Sequence, residues 1–239
     1  MIDFPIEQII PACEKIGVQL SETAVKKLNI YANLLVEWNE KMNLTAITDP
    51  DEVVWKHFYD CILFFKNINL PDGARVIDVG TGAGFPGVVL KIVREDKKLT
   101  LLDGLNKRLV FLGEVLKAIE AEAEIIHLRA EEGGRKAEYR EKYEFAVSRA
   151  VANMNVLSEY CLPFVKKGGH FVALKGPAGT DEVKTAKGAI TLLGGGEIKV
   201  YSEEAEMLGD RTIVDVKKTG NTNGKYPRPS AKISKAPLR

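Results

Sequence analysis

Arg75-Val-Ile-Asp78-Val-Gly80-Thr-Gly82-Ala-Gly84-Phe85-Pro86-Gly87 is the stretch whose reading decides the fold. A short β-branched run leads directly into alternating glycines, and Pro86 then opens a helix. Glycine lets the chain turn sharply and brings bare backbone close to a ligand. The helix start beyond the loop offers free N–H groups.

Two registers of this loop compete. Read from Gly82, G-A-G-F-P-G is a formal G-x-G-x-x-G dinucleotide loop. Read from Asp78, the pattern is D-x-G-x-G-x-G, with Gly80, Gly82 and Gly84 in phase. That second pattern is the loop that cradles the methionine part of S-adenosylmethionine. In a dinucleotide site the first glycine follows the strand directly. Gly80 adjoins Val79, whereas Gly82 does not, so position favours the second register. A tight turn without a ligand is the plain structural alternative.

Working outward, short β-rich runs alternate with helical ones. The strands expected are Arg75–Val79, Leu99–Asp103, Glu124–Leu128, Tyr143–Ser148 and Gly169–Lys175. Helices fall between them, over Leu105–Ile119, Asn155–Val165 and Asp181–Leu193, the last with Thr180 as N-cap. Such alternation means a parallel sheet covered on both faces. Two further runs, Glu197–Ser202 and Thr212–Val216, have no helix-length segment between them, so they pair antiparallel. The pattern predicts an α/β fold of class I S-adenosylmethionine-dependent methyltransferase (Rossmann-like) type. Its mostly parallel seven-stranded sheet ends in an antiparallel strand. Upstream, Ala24, Leu28, Tyr31, Leu35 and Trp38 mark an amphipathic helix capped by Ser21. Asp49, Pro50 and Glu52 form the start of a second helix, with a capping box. The expected organisation is a helical segment over 1–70, a cofactor-binding domain over 71–219 and a basic tail over 220–239.

Length and composition agree with one large globular domain. The 239 residues are 45% apolar and 28% charged, which excludes disordered, collagenous and disulfide-rich classes. Cys13, Cys61 and Cys161 lie far apart and odd in number, so reduced buried thiols are expected. No His/Cys cluster suggests a metal. No apolar run approaches the roughly 20 residues of a membrane span, so a cytoplasmic location is expected. Nothing resembles a self-pairing helix, and a monomer is the default.

The strand ends carry the candidate chemistry. Asp103 closes the second strand, where an acid reaches the ribose hydroxyls of an adenosine ligand. Arg129-Ala130-Glu131 follows the third strand, where adenine contacts sit. Ser148-Arg149-Ala-Val151 closes the fourth. An Asn/Asp-Pro-Pro-aromatic motif for amino methylation is missing there, and so is a cysteine nucleophile. What remains suits a nucleophile that needs no base, such as guanine N7, where alignment and electrostatics suffice. Arginine can hold a guanine edge or a phosphate. His57 lies beside an apolar stripe and reads as a core histidine, with substrate contact as the minority reading.

The chain resembles the bacterial 16S rRNA guanine-N7 methyltransferase family, also called glucose-inhibited division protein B. The matching stretches include Val36–Thr45, His57-Phe-Tyr-Asp60, Asp78–Pro86, Asp103–Arg108, Arg129–Glu131, Ser148–Val151, Ala173-Leu-Lys-Gly176 and Lys225-Tyr-Pro-Arg228. The resemblance implies S-adenosylmethionine as donor and a guanine of the decoding-region loop of 16S rRNA, free or in the 30S subunit, as substrate. It implies cofactor contacts from Gly80, Phe85, Ala130, Glu131 and Arg149, which Asp103 joins by the ribose argument. Lys175, Arg211 and Arg129 become RNA or base contacts, completing a catalytic set with Arg149. Two rivals stay open: an NAD(P)-dependent oxidoreductase using Gly82–Gly87, and a non-catalytic nucleotide- and RNA-binding regulator.

The net charge of +1 hides an asymmetry. Seven basic residues and no acids lie from Lys217 to Arg239, leaving 27 basic against 33 acidic residues before them, a net of −6. A basic tail on an acidic body is a partner signal. It reads either as an arm that neutralises rRNA phosphates or as a strap folded back on the body.

Overall fold

Hydrophobic strands that lead into helices fix the architecture, because each strand must be covered on both faces. The computed structural model describes residues 2–205 and 207–239. Seven strands form one sheet: β1 Arg75–Val79, β2 Lys98–Asp103, β3 Ala123–His127, β4 Tyr143–Arg149, β5 Val165–Lys175, β6 Gly195–Ala205 and β7 Gly209–Lys218. Their order is β3-β2-β1-β4-β5-β7-β6. β1 to β5 are parallel, and β7 runs antiparallel to both β5 and β6. The gap between Ala205 and Gly209 is too short for a crossover helix, so β7 turns back and slots between β5 and β6.

Register brings the functional end together. Val79 pairs with Leu102, Asp103 with His127, Arg149 with Leu174, and Lys175 with Thr212. The carboxyl ends of β1 to β5 and the start of β7 therefore share one edge, where open α/β sheets place their ligands.

Two apolar clusters cover the faces. One joins the helices Gly87–Val93 and Asn106–Ala118 to the N-terminal helices through Leu28, Tyr31, Leu35, Phe58 and Phe111. The other packs Leu157, Phe164, Phe171, Ile190 and Val214 on the opposite face. The helix Glu22–Met42 starts at Ser21, whose side chain accepts from Ala24 N as its spacing predicts. Residues 50–66 form a continuous helical rod with a π-helical stretch at Val53–Tyr59. That stretch carries His57, and Asp60 follows directly. The three cysteines are free and buried, as expected.

Beyond small shifts at element ends, four local expectations differ from the structure. The helix expected over Asn155–Val165 runs Met154–Cys161, because Pro163 ends it in a 3-10 turn at Leu162–Phe164 and Val165 already belongs to β5. Thr180 is not an N-cap. The helix starts at Gly179, and its cap residue Ala178 has no capping side chain. The capping box at Asp49 is half made. Asp49 accepts from Glu52 N at 3.1 Å, but the Glu52 carboxylate pairs with Lys56 at 2.5 Å, a charge-assisted partner that a backbone N–H does not outcompete. β5 begins at Val165 rather than Gly169, because the ladder to β4 continues across a bulge near Tyr143.

The basic tail is a packed strap. Ile233 and Tyr226 are buried in it. Arg228 forms a forked pair with the buried Glu159, at 2.7 and 2.9 Å. Arg140 donates to the carbonyls of Thr222 and Tyr226. Lys218 is buried and donates to Leu162 O at 2.6 Å. Two of the seven tail cations thus serve packing. Among the described residues no helix is long and apolar enough to cross a membrane.

Candidate functional site

The glycine loop stands at the centre of the functional edge. Asp78 does not line the cleft. Its Oδ2 accepts from Thr81 Oγ1 at 2.7 Å and from Gly87 N at 2.9 Å, stapling the two ends of the loop. Burial pushes its carboxyl up to about 6 against the pull of those two bonds.

The three alternating glycines serve different ends. Gly82 has φ +59°, and a Cβ there would meet only Gly80 O at 3.9 Å, so it borders open space. A Cβ on Gly80 would strike Val151 at 2.8 Å. Gly84 faces the core. A Cβ there would lie 2.6 Å from the Tyr31 hydroxyl and 2.8 Å from Leu112 and Val88. Tyr31 in turn donates to Ala83 O, locking the loop from below. Gly84 thus shapes the loop and lines no cleft.

Two adjoining chambers open at this edge. The larger, about 720 Å³, is lined by Gly80, Gly82, Phe85, Asp103, Arg129, Ala130, Glu131 and Arg149 among others. Its size suits a nucleoside-sized ligand. Asp103 sits at one end. Its Oδ2 accepts from Gly82 N at 3.0 Å, and its Oδ1 accepts from Leu105 N at 2.8 Å. Two fixed carboxylate oxygens there retain lone pairs for hydroxyl donors. The bare loop backbone around Gly82 fits the methionine part of S-adenosylmethionine, and Asp103 fits its ribose. The smaller chamber, about 440 Å³, is walled by Ile47, Lys56, Asp60, Lys175, Glu182 and Arg211. His57, Arg149 and Ala150 line both.

The junction is held by one network. Arg149 Nη1 donates to Asp60 Oδ2 at 2.9 Å and to Lys56 O at 3.1 Å. Arg211 Nε donates to the other carboxylate oxygen of Asp60 at 2.8 Å. Arg149 Nη2 lies 3.2 Å from His57 Nδ1. A guanidinium cannot accept, so His57 Nδ1 accepts and its proton sits on Nε2. Nε2 then donates to Thr45 Oγ1 at 2.8 Å. Burial and the neighbouring Arg149 charge push the His57 ring down to about 3, so it stays neutral. The His57 ring stacks on Phe85 at 4.6 Å, and the Arg149 guanidinium carbon lies 4.6 Å from the same ring centroid. Phe85 is therefore the floor of the junction. Ala150, with φ +56°, turns the chain sharply between the chambers.

The structure brings most of the expected residues together and separates others. Lys175 and Arg211 belong to the smaller chamber. Arg129 lines the larger one, on the side of Gly104, where a Cβ would meet it at 3.0 Å. Sequence pattern assigns Thr45 no role and His57 only a minor one, although both lie in stretches singled out above. Glu182 carried no signal, since an acid in a helix's first turn is ordinary.

Comparison with known proteins follows the same lines. Residues 24–214 match the family described as GidB, rRNA small subunit methyltransferase G. The ribosomal RNA small subunit methyltransferase G of Clostridium perfringens (strain SM101 / Type A) is 49% identical over 233 residues, covering 95% of this chain and 96% of that one. The protein of that name in Clostridium kluyveri is 46% identical over 228 residues, with the same coverage. Among solved structures, a precorrin-6y C5,15-methyltransferase from Geobacter metallireducens has a TM-score of 0.52 at 15% identity, over 72% of this chain and 90% of that one. A SAM-dependent O-methyltransferase from Thermotoga maritima has a TM-score of 0.50 at 16% identity, over 79% and 73%. At such identities the likeness concerns the fold, and that fold is the one the strand pattern predicts.

Proposed function

The chain belongs to the rRNA small subunit methyltransferase G family, and from that premise we propose that it methylates N7 of a guanine in 16S rRNA. It is an S-adenosylmethionine-dependent rRNA methyltransferase. The larger chamber takes the cofactor, with Gly80 and Gly82 against the methionine part, Asp103 at the ribose, and Ala130 and Glu131 beside the adenine. The smaller chamber takes the target base. S-adenosylmethionine supplies a methyl group already activated on a sulfonium. The protein's part is to hold the acceptor atom in line with it and to exclude water.

One observation carries the N7 assignment. The groups at the junction that could take a proton are engaged, and Glu182, whose Oε1 has no partner among the described residues, lines the smaller chamber alone and not the junction. His57 Nδ1 accepts from Arg149, and its Nε2 carries a proton donated to Thr45. Both oxygens of Asp60 hold arginines. Methylation of an amino group or hydroxyl needs a base in such a place, whereas guanine N7 offers an exposed lone pair and loses no proton. Arg149 keeps N–H groups beyond those bonded to Asp60, Lys56 and His57. One of them suits guanine O6, beside the reacting N7. N7 is neutral and the base gains positive charge as the lone pair bonds the methyl group, so that bond serves to keep O6 in place. Arg211 and Lys56, at the rim of the smaller chamber, suit the flanking phosphates. Lys175, held between Ala152 O and Glu182 at 2.8 Å each, fixes the wall.

Borohydride reduction and aniline cleavage of 16S rRNA test this reading. RNA from cells with the gene is expected to break at one guanine that stays intact in cells without it. Unchanged cleavage in the deletion strain would refute it.

A further inference from the structure

Two carboxylates face the smaller chamber, Asp60 and Glu182. Asp60 has no free oxygen to offer. Glu182 does. Its Oε2 accepts from Met154 N at 2.9 Å and lies 2.8 Å from Lys175 Nζ, so the side chain is oriented. Its Oε1 has no hydrogen-bond partner among the described residues, and the side chain is 20% exposed. A free carboxylate oxygen is out of place in a wall of cations meant only for phosphate. It repels phosphate but accepts from N–H groups, so it marks where a base edge lies.

We propose that Glu182 is the specificity-determining residue for the target base, its free oxygen accepting from N1–H and the N2 amino group of guanine. The proposal deepens the guanine-N7 reading and rests on it. With N7 and O6 turned to the junction and Arg149, the Watson–Crick edge of the base faces the rest of the chamber. Only guanine presents two adjacent donors on that edge. Adenine presents a lone pair at N1, which a carboxylate repels, so it is rejected by both a lost bond and a repulsion. The Lys175 ion pair holds Glu182 in place without occupying its second oxygen.

The experiment uses full-length protein and two 16S rRNAs, one with guanine and one with inosine at the target. Inosine keeps N7, O6 and N1–H but lacks the N2 amino group. Wild-type kcat/KM is expected to fall on the order of 10–100-fold on the inosine RNA, the range for losing a bond to a charged group. The Glu182→Gln variant should be slower on guanine RNA, and its guanine-to-inosine ratio should shrink to within about threefold, because the partner of the amino group is already weakened. Equal ratios in the two proteins would overturn the proposal and leave Glu182 a merely structural role. Wild-type protein that does not distinguish the two RNAs would overturn it as well, whether or not the variant folds. Failure of the guanine-N7 reading looks different: the guanine RNA itself would yield no 7-methylguanosine.

Discussion

The glycine loop gives a prediction in which neighbouring, chemically identical substitutions part company. Gly84→Ala places a Cβ 2.6 Å from the Tyr31 hydroxyl and 2.8 Å from Leu112 and Val88, at φ +101°. Tyr31 is itself held by Ala83 O and stacked on Phe85 at 5.4 Å, so it has little room to move. Overpacking of about 1–3 kcal/mol adds to backbone strain of about 1–2 kcal/mol. At roughly 2–4 °C per kcal/mol for this size, the melting temperature should fall by about 4–20 °C. Gly82→Ala, two residues earlier, meets only Gly80 O at 3.9 Å and carries only the strain of φ +59°. Its melting temperature should fall by about 2–8 °C. Its new methyl group stands where the proposed cofactor contact lies, so S-adenosylmethionine affinity should drop by at least about tenfold. Thermal melts and calorimetry on both variants give the result. A Gly82→Ala protein of wild-type affinity would refute the placement of the cofactor. A Gly84→Ala protein as stable as wild type would refute the packing argument.

Other outcomes follow from the junction and the strap. Asp60→Asn leaves two arginines without their shared carboxylate, so unfolding free energy should fall by about 3–5 kcal/mol and kcat with it; unchanged kcat in a folded variant would remove Asp60 from the positioning network. The His57 ring is held near 3, below its ordinary 6.5, so the unfolded chain binds the proton more readily. Its contribution is complete above pH 6.5 and is lost as pH falls toward 3, by at most about 5 kcal/mol. His57→Gln should flatten that acid limb in urea titrations, and a limb of unchanged slope would contradict the neutral state assigned to the buried ring. A chain ending at Thr219 loses Tyr226 and Ile233 from the core and strands the Glu159 carboxylate, so it should fail to fold cooperatively; a wild-type melt would return the tail to the status of a free arm.

How much of this was legible in the sequence follows from the range of each interaction. β1 and its glycine loop are local patterns, and Arg75–Val79 is matched residue for residue. The reversal of β7 was legible too, because a short connection permits no crossover. The start of β5 was hidden, since Lys166-Lys-Gly-Gly169 breaks the apolar run while the backbone ladder continues beneath it. The partner of the strap was hidden for another reason. Glu159 sits in an apolar helix and gives no sign that an arginine 69 residues later will reach it. The junction is harder still. Thr45, His57, Asp60, Arg149 and Arg211 come from a loop, the helical rod, β4 and β7, and Asp60 and Arg211 are 151 residues apart. Each could be singled out by resemblance, but their pairing is a product of register and packing alone. Gly84 shows the converse, a motif residue whose place in the pattern comes from the core and not from the ligand.

The most direct test of the account uses purified protein, methyl-labelled S-adenosylmethionine and 16S rRNA or 30S subunits from cells lacking the gene. After digestion to nucleosides, the label should appear as 7-methylguanosine alone, at one residue per RNA. Arg149→Met should remove it while leaving the melting transition cooperative. Label in an N2-methyl or ribose-methyl nucleoside would contradict the reading that the junction serves a nucleophile with no proton to lose.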